Sequence, residues 1–194
     1  MKVKQEKNKP INVGPIYLDY DSSVDEDQYM LEIYGSEEPC PKPSLMPPIV
    51  INCRYKKPGL LLDRIDNCFF PYICIINPID SGAVLKTCRQ NHFGHIEIQE
   101  GIGSNGLLLS NKYPGKGKDA CNANTFSFLS IYASRFDNFL SLNGESKDLS
   151  KCRNNTFNSI WMHCTWAQQV AYSDMQNNPE CSYVMIDLYN VDRC

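Results

Sequence analysis

Three histidines and one glutamate are the residues best suited to proton chemistry. His95 and Glu97 stand two apart, so on a strand they project from one face, and His92 lies just before them. His95, Glu97 and His163 together could run a small hydrolase by general acid–base chemistry, which needs two titratable groups converging on one bond. The same His95 and Glu97 could seat a metal ion if a third ligand arrived from elsewhere in the chain. No local signature accompanies either arrangement. There is no G-x-S-x-G elbow, and Cys164 beside His163 reads as a bridged cysteine, not a nucleophile. The expectation is therefore a non-catalytic protein without metal or cofactor, with the hydrolase kept as an alternative.

Two glycine-rich stretches resemble phosphate loops only in their letters. Gly101-Ile102-Gly103-Ser104-Asn105-Gly106 follows a strand but opens no helix, so it offers no free N–H groups to a pyrophosphate and reads as a hairpin loop. In Tyr113-Pro114-Gly115-Lys116-Gly117-Lys118 the next residue is Asp119 where a P-loop needs Ser or Thr. This second stretch reads as a solvated basic turn.

The ten cysteines are Cys40, Cys53, Cys68, Cys74, Cys88, Cys121, Cys152, Cys164, Cys181 and Cys194. None forms a C-x-x-C hook of the kind that structural zinc uses. Most gaps between them have the length of a strand and its turn. An even count at that spacing predicts about five disulfides and an oxidising compartment. Asn154-Asn155-Thr156 is an N-glycosylation sequon, which agrees with a secreted or extracellular glycoprotein. The N-terminal stretch, MKVKQEKNKP, holds no apolar signal segment, so a secreted chain would be a mature form or a fragment.

Aromatic side chains crowd the cysteines. Phe69, Phe70, Tyr72 and Phe93 are the candidate ligand-binding residues, because aromatics give large contact area at small entropic cost. Cys53, Cys68, Cys74 and Cys88 follow the pattern C-x14-C-x5-C-x13-C, around the run Asp66-Asn67-Cys68-Phe69-Phe70-Pro71-Tyr72-Ile73-Cys74. This stretch resembles the first part of a peritrophin-type chitin-binding module. The resemblance implies aromatics stacking on sugar rings across residues 53–93. It breaks after Cys88, since Cys121 comes too late and a helical pattern follows.

The elements that must position these residues read mostly as strands. Ile16–Tyr20, Tyr29–Ile33, Ile49–Cys53, Tyr72–Ile76, Ala83–Cys88 and His95–Gln99 alternate or are β-branched, with turn residues between. The short turns predict antiparallel pairing. Phe128, Ile131, Tyr132, Phe136, Phe139 and Leu140 recur at three and four, as do Ile160, Cys164, Ala167 and Ala171, which predicts two helices. Val184, Ile186 and Leu188 alternate as a last strand. No internal repeat is evident. The expected fold is α+β and β-rich: an antiparallel sheet or sandwich stapled by disulfides, with one or two helices in the C-terminal third. A disordered tail over 1–14 would precede one domain over 15–194.

Composition bounds the function. An apolar share of 42% supports a packed core, and no apolar run is long enough for a membrane span. A net charge of −3 argues against nucleic acid. The resulting expectation is a secreted or cell-surface binding protein that engages an extracellular protein, with a glycan as the other candidate partner.

Overall fold

The computed structural model describes residues 1–4, 13–22, 27–35, 43–110, 121–142, 152, 154–164, 182–183 and 186–190. Within them lie β1 (Lys2–Lys4), β2 (Ile16–Asp19), β3 (Leu31–Tyr34), β4 (Ser44–Leu45), β5 (Ile49–Asn52), β6 (Leu60–Asp63), β7 (Cys68–Ile76) and β8 (Ile79–Lys86). They continue as β9 (His92–Gln99), β10 (Ile102–Ser110), β11 (Thr125–Ser141), β12 (Thr156–Phe157), β13 (Ile160–Cys164), β14 (Ser182–Tyr183) and β15 (Ile186–Asn190). No helix occurs among the described residues.

The chain winds as a parallel β-solenoid. One face, sheet A, carries β1, β3, β6, β8, β10 and the second half of β11. The other, sheet B, carries β2, β5, β7, β9, the first half of β11, β13 and β15, with the short β4, β12 and β14 alongside. Ile49, Ile73, Ile96, Leu129, Ile160 and Ile186 are successive register partners. Each step in that series is one coil, shortest from Ile73 to Ile96 and longest from Ile96 to Leu129. Apolar side chains of both sheets point inward and form one continuous core.

This architecture corrects the antiparallel, helix-bearing expectation. Alternation marks a strand but not its partner. Short turns would exclude parallel pairing only if consecutive strands were neighbours. Here the chain alternates between the two sheets from β5 to β11, and each partner arrives one coil later. The pattern over 128–140 belongs to a single bent strand, β11. Ala133 sits at its corner with φ 51°, and the inward phase slips there, between Ile131 and Phe136. Two strands of period two joined across a corner imitate a period near 3.6. Ile160–Cys164 is likewise a strand, and residues 165–171 of that expected helix lie outside the described residues. Lys2–Lys4, placed in a tail from sequence, extends sheet A beside β3.

Within the Gly101–Gly106 stretch, residues 102–106 are strand, not a hairpin loop. Gly103, at φ 133°, begins an irregularity in the register with β8, and a side chain at Gly106 would meet the Phe139 carbonyl oxygen at 2.6 Å. Both glycines let β10 pass close to its neighbours. Tyr113–Lys118 lies outside the described residues.

The chain does hold an internal repeat. The short pattern Cys-x-x-Asn-x-Phe builds the return turn of three coils: Cys88/Asn91/Phe93, Cys121/Asn124/Phe126 and Cys152/Asn155/Phe157. Each asparagine is buried. Asn91, Asn124 and Asn155 donate through Nδ2 to the carbonyls of Ile65, Cys88 and Cys121 at 2.8, 2.9 and 3.1 Å. Asn124 Oδ1 accepts from the backbone N–H and Nδ2 of Asn91, and Asn155 Oδ1 accepts the same two bonds from Asn124. The ladder satisfies polar groups that a buried turn would otherwise strand. Asn67, Gln90, Ala123 and Asn154 hold the left-handed corner beside it, with φ between 53° and 55°. Phe70, Phe93, Phe126 and Phe157 stack next to the ladder at 4.9, 4.8 and 4.5 Å.

The cysteines of the repeat are core groups, which corrects the disulfide expectation. Cys53, Cys68, Cys74, Cys88, Cys121 and Cys152 are all buried, and none is in a disulfide. The thiols of Cys88, Cys121 and Cys152 donate to the carbonyls of Leu62, Leu85 and Leu109 at 3.4, 3.1 and 3.4 Å. Burial pushes the Cys53 thiol up to about 12 and the Cys88 thiol well above its ordinary range, so neither is a ready nucleophile. Cys40, Cys181, Cys194 and the side chain of Cys164 lie outside the described residues. The spacing of Cys88, Cys121 and Cys152 reports the length of a coil, not the reach of a crosslink.

Candidate binding face

Outward positions of sheet B form columns that run across the strands. Leu45, Phe69, His92 and Thr125 make one, and Tyr72, His95 and Phe128 make the next. Val50, Cys74, Glu97, Ser130 and Trp161 follow, then Asn52, Ile76, Gln99 and Tyr132. Strand geometry makes this alternation compulsory once Ile73, Ile96 and Leu129 face the core.

Aromatic rings line the columns. Tyr72 meets His95 at 5.4 Å and His95 meets Phe128 at 4.8 Å, both edge to face. Tyr132 and Trp161 lie at 5.7 Å, and Phe69 meets His92 at 5.2 Å. The polar atoms between them are held. The Tyr72 hydroxyl donates to Glu97 Oε2 at 2.6 Å, and Gln99 Nε2 donates to Glu97 Oε1 at 2.9 Å. His95 Nε2 shares a hydrogen bond with Ser130 Oγ at 3.1 Å, and His92 Nε2 shares one with Ser127 Oγ at 2.9 Å.

Protonation states on the face follow from burial. Burial first, then the hydrogen bond to Glu97, holds the Tyr72 phenol far above its ordinary range. Tyr132 is pushed up to about 12, by burial and then by the Glu97 charge. Burial lowers His95 below the usual imidazole value, against the Glu97 charge, and raises the Cys74 thiol. At neutral pH the face thus presents phenol donors and a neutral imidazole at His95.

Sequence reasoning paired His95 and Glu97, and the structure sets both on this face. His163 is the register partner of Tyr132, which pairs with Gln99, so it lies two strands across and four residues along from His95. Their backbones are roughly 16 Å apart on ordinary strand spacing. Of the candidate aromatics, Phe69 and Tyr72 face outward, whereas Phe70 and Phe93 are fully buried in the phenylalanine stack. Asn154 is exposed at a left-handed corner, with Asn155 in the ladder and Thr156 opening β12. The sequon is thus also a copy of the coil repeat.

Gln99 shares the face of His95 and Glu97, as the alternation over His95–Gln99 predicts. Phe128, Ser130, Tyr132 and Trp161 complete the face and were not singled out from sequence as site residues. Tyr132 was absorbed into the apparent helical stripe.

Comparison with family models, curated proteins and solved structures finds no match for this chain. No three His, Cys, Asp or Glu side chains among the described residues are grouped to hold a metal ion. No helix among them is long and apolar enough to cross a membrane.

Proposed function

We propose that this protein binds a glycan along the outer face of sheet B and leaves its bonds intact. The observation that carries the proposal is the aromatic row Tyr72–His95–Phe128, with the Tyr132–Trp161 pair on the next two columns and hydrogen-bonding groups fixed among the rings. Sugar rings offer apolar C–H faces and hydroxyl edges, and a surface of rings interleaved with amide, phenol, imidazole and carboxylate groups complements both. A solenoid gives such a surface length without needing a cleft. The separation of His95 from His163 argues against the hydrolase alternative. Extracellular location follows in this proposal from the ligand, since the six described thiols form no crosslinks.

Glycan-array binding, followed by titration with the strongest class, tests it. Replacing Tyr72, Phe128 and Trp161 together by Ala removes binding while the far-ultraviolet spectrum stays that of a β protein. Unchanged affinity in that variant refutes the proposal. A protein partner is the second reading, favoured by the exposed ridge of Ile79 and Ile102 at the corner between the sheets. Ile102→Ser in that ridge leaves glycan binding untouched and weakens only a protein contact.

A further inference from the structure

The strands that build the candidate face are nearly free of charge. Residues 49–52, 68–76, 92–99, 125–132 and 160–164 contain no Lys or Arg, and Glu97 is their one carboxylate, in a chain that is 21% charged. A polyanion such as a uronate polymer, a sulfated glycan or a nucleic acid needs cations to replace its counterions. This face offers none of the permanent kind, and burial keeps His95 neutral. An anionic ligand would also meet Glu97 directly.

The spacing of the face is equally specific. Equivalent positions on neighbouring strands recur every ~4.8 Å. The aromatic centroids follow that step, at 5.4 and 4.8 Å from Tyr72 to His95 to Phe128. Such a step is close to the length of one hexopyranose unit in an extended polymer. That row spans three strands of sheet B, β7, β9 and β11, and Trp161 of β13 stands one column over, beside Ser130.

Glu97 stands in the middle of this array, between the Tyr72 and Tyr132 columns. Its two oxygens accept from Tyr72 and Gln99. An ionised carboxylate has about four acceptor positions, so capacity remains for ligand hydroxyls. The donors Tyr72 and Gln99 fix the carboxylate in place before any ligand arrives, which limits the ordering cost of binding.

We infer that the ligand is an uncharged polysaccharide lying across the strands, one sugar to each coil, with Glu97 accepting hydroxyl hydrogen bonds at its centre. This inference rests on the glycan-binding proposal and narrows it to a ligand class, a direction and a specificity-determining residue.

The test is affinity electrophoresis and calorimetry of the full chain with a set of neutral polysaccharides of differing linkage, and with pectate and heparin as anionic probes. At least one neutral polymer retards the protein, and the anionic ones do not. Neutral oligosaccharides of two to six units gain affinity with each unit up to three and then level off. Glu97→Gln weakens binding at least tenfold. Tyr132→Phe, which keeps the ring and removes one hydroxyl, weakens it less and guards against misfolding of the first variant. Lys86→Ala on sheet A changes nothing.

Pectate or heparin binding as tightly as the neutral polymers overturns the inference and leaves the broader proposal standing. Affinity that stops growing at two units overturns the one-sugar-per-coil register. An unchanged affinity in Glu97→Gln removes its assigned role. If no polymer of either kind binds, the glycan-binding proposal itself fails.

Discussion

The two outer faces of the solenoid cover the same interior and present different chemistry. Sheet A sets Glu32, Leu61, Val84 and Leu108 in one outward column and Tyr34, Asp63, Lys86 and Ser110 in the next. Tyr29, Leu61 and Val84 form a small apolar cluster there, with Tyr34 and Leu108 packed on it. Its charges are tied together near the first coil. The Tyr34 hydroxyl donates to Glu32 at 2.6 Å, and Lys2 Nζ lies 2.8 Å from Asp27. Sheet B has no comparable ion pairs along β7, β9 and the first half of β11 among the described residues, and instead carries the rings around Glu97. Polar groups on both sheets tie the protein's own strands together. Those on sheet B also surround an outward array of rings, which is where function should be sought.

The comparison breaks most severely if the shared interior is cut. Phe126→Ala removes the middle of the four-ring stack and should cost about 3–5 kcal/mol, so urea unfolding shifts strongly and both faces are lost together. Asn124→Ala takes the acceptor from the buried Asn91 backbone N–H and removes one bond each from Asn91 Nδ2, the Cys88 carbonyl and Asn155 Oδ1. At ~1–3 kcal/mol for an orphaned buried group, with the other bonds added, a total of about 3 kcal/mol is expected in the same assay. A loss below about 1 kcal/mol would mean that the asparagine ladder is not what holds the return turn.

Smaller changes sharpen the contrast between faces. Trp161→Ala should lower polysaccharide affinity about tenfold, the effect of removing an aromatic anchor. Lys86→Ala should alter stability by no more than ~0.5 kcal/mol and leave affinity unchanged. His95 supplies the pH dependence. Its folded value lies below the ordinary 6.5, because burial favours the neutral ring. Well above 6.5 both states are neutral and the group contributes nothing to pH dependence. As pH falls from there, the unfolded chain takes up the proton first, so stability declines until the folded value is passed. The urea midpoint of the native protein should therefore fall over that window, and that of His95→Gln should fall less.

Much of the strand content was legible. Ile49 and Ile51, or Ile96 and Ile98, alternate clearly enough to mark β5 and β9, and the shared face of His95 and Glu97 follows from the same period. Partner choice was not legible, because Ile96 of β9 pairs with Ile73 and Leu129, each a full coil away along the chain. The repeat Cys-x-x-Asn-x-Phe was visible in the sequence, yet its unequal intervals hid it and its cysteines invited a disulfide explanation. Tyr132 and Trp161 could be assigned to the face only after the bend at Ala133 was known. Two strands meeting at a left-handed corner carry no signal that distinguishes them from an amphipathic helix.

Amide hydrogen exchange with and without a saturating neutral polysaccharide tests the central claim most directly. Protection gained on residues 68–76, 92–99, 125–132 and 160–164, with sheet A strands β6 and β8 unchanged, is the predicted result. Protection gained on β6 and β8, with the sheet B strands unaffected, would contradict the account.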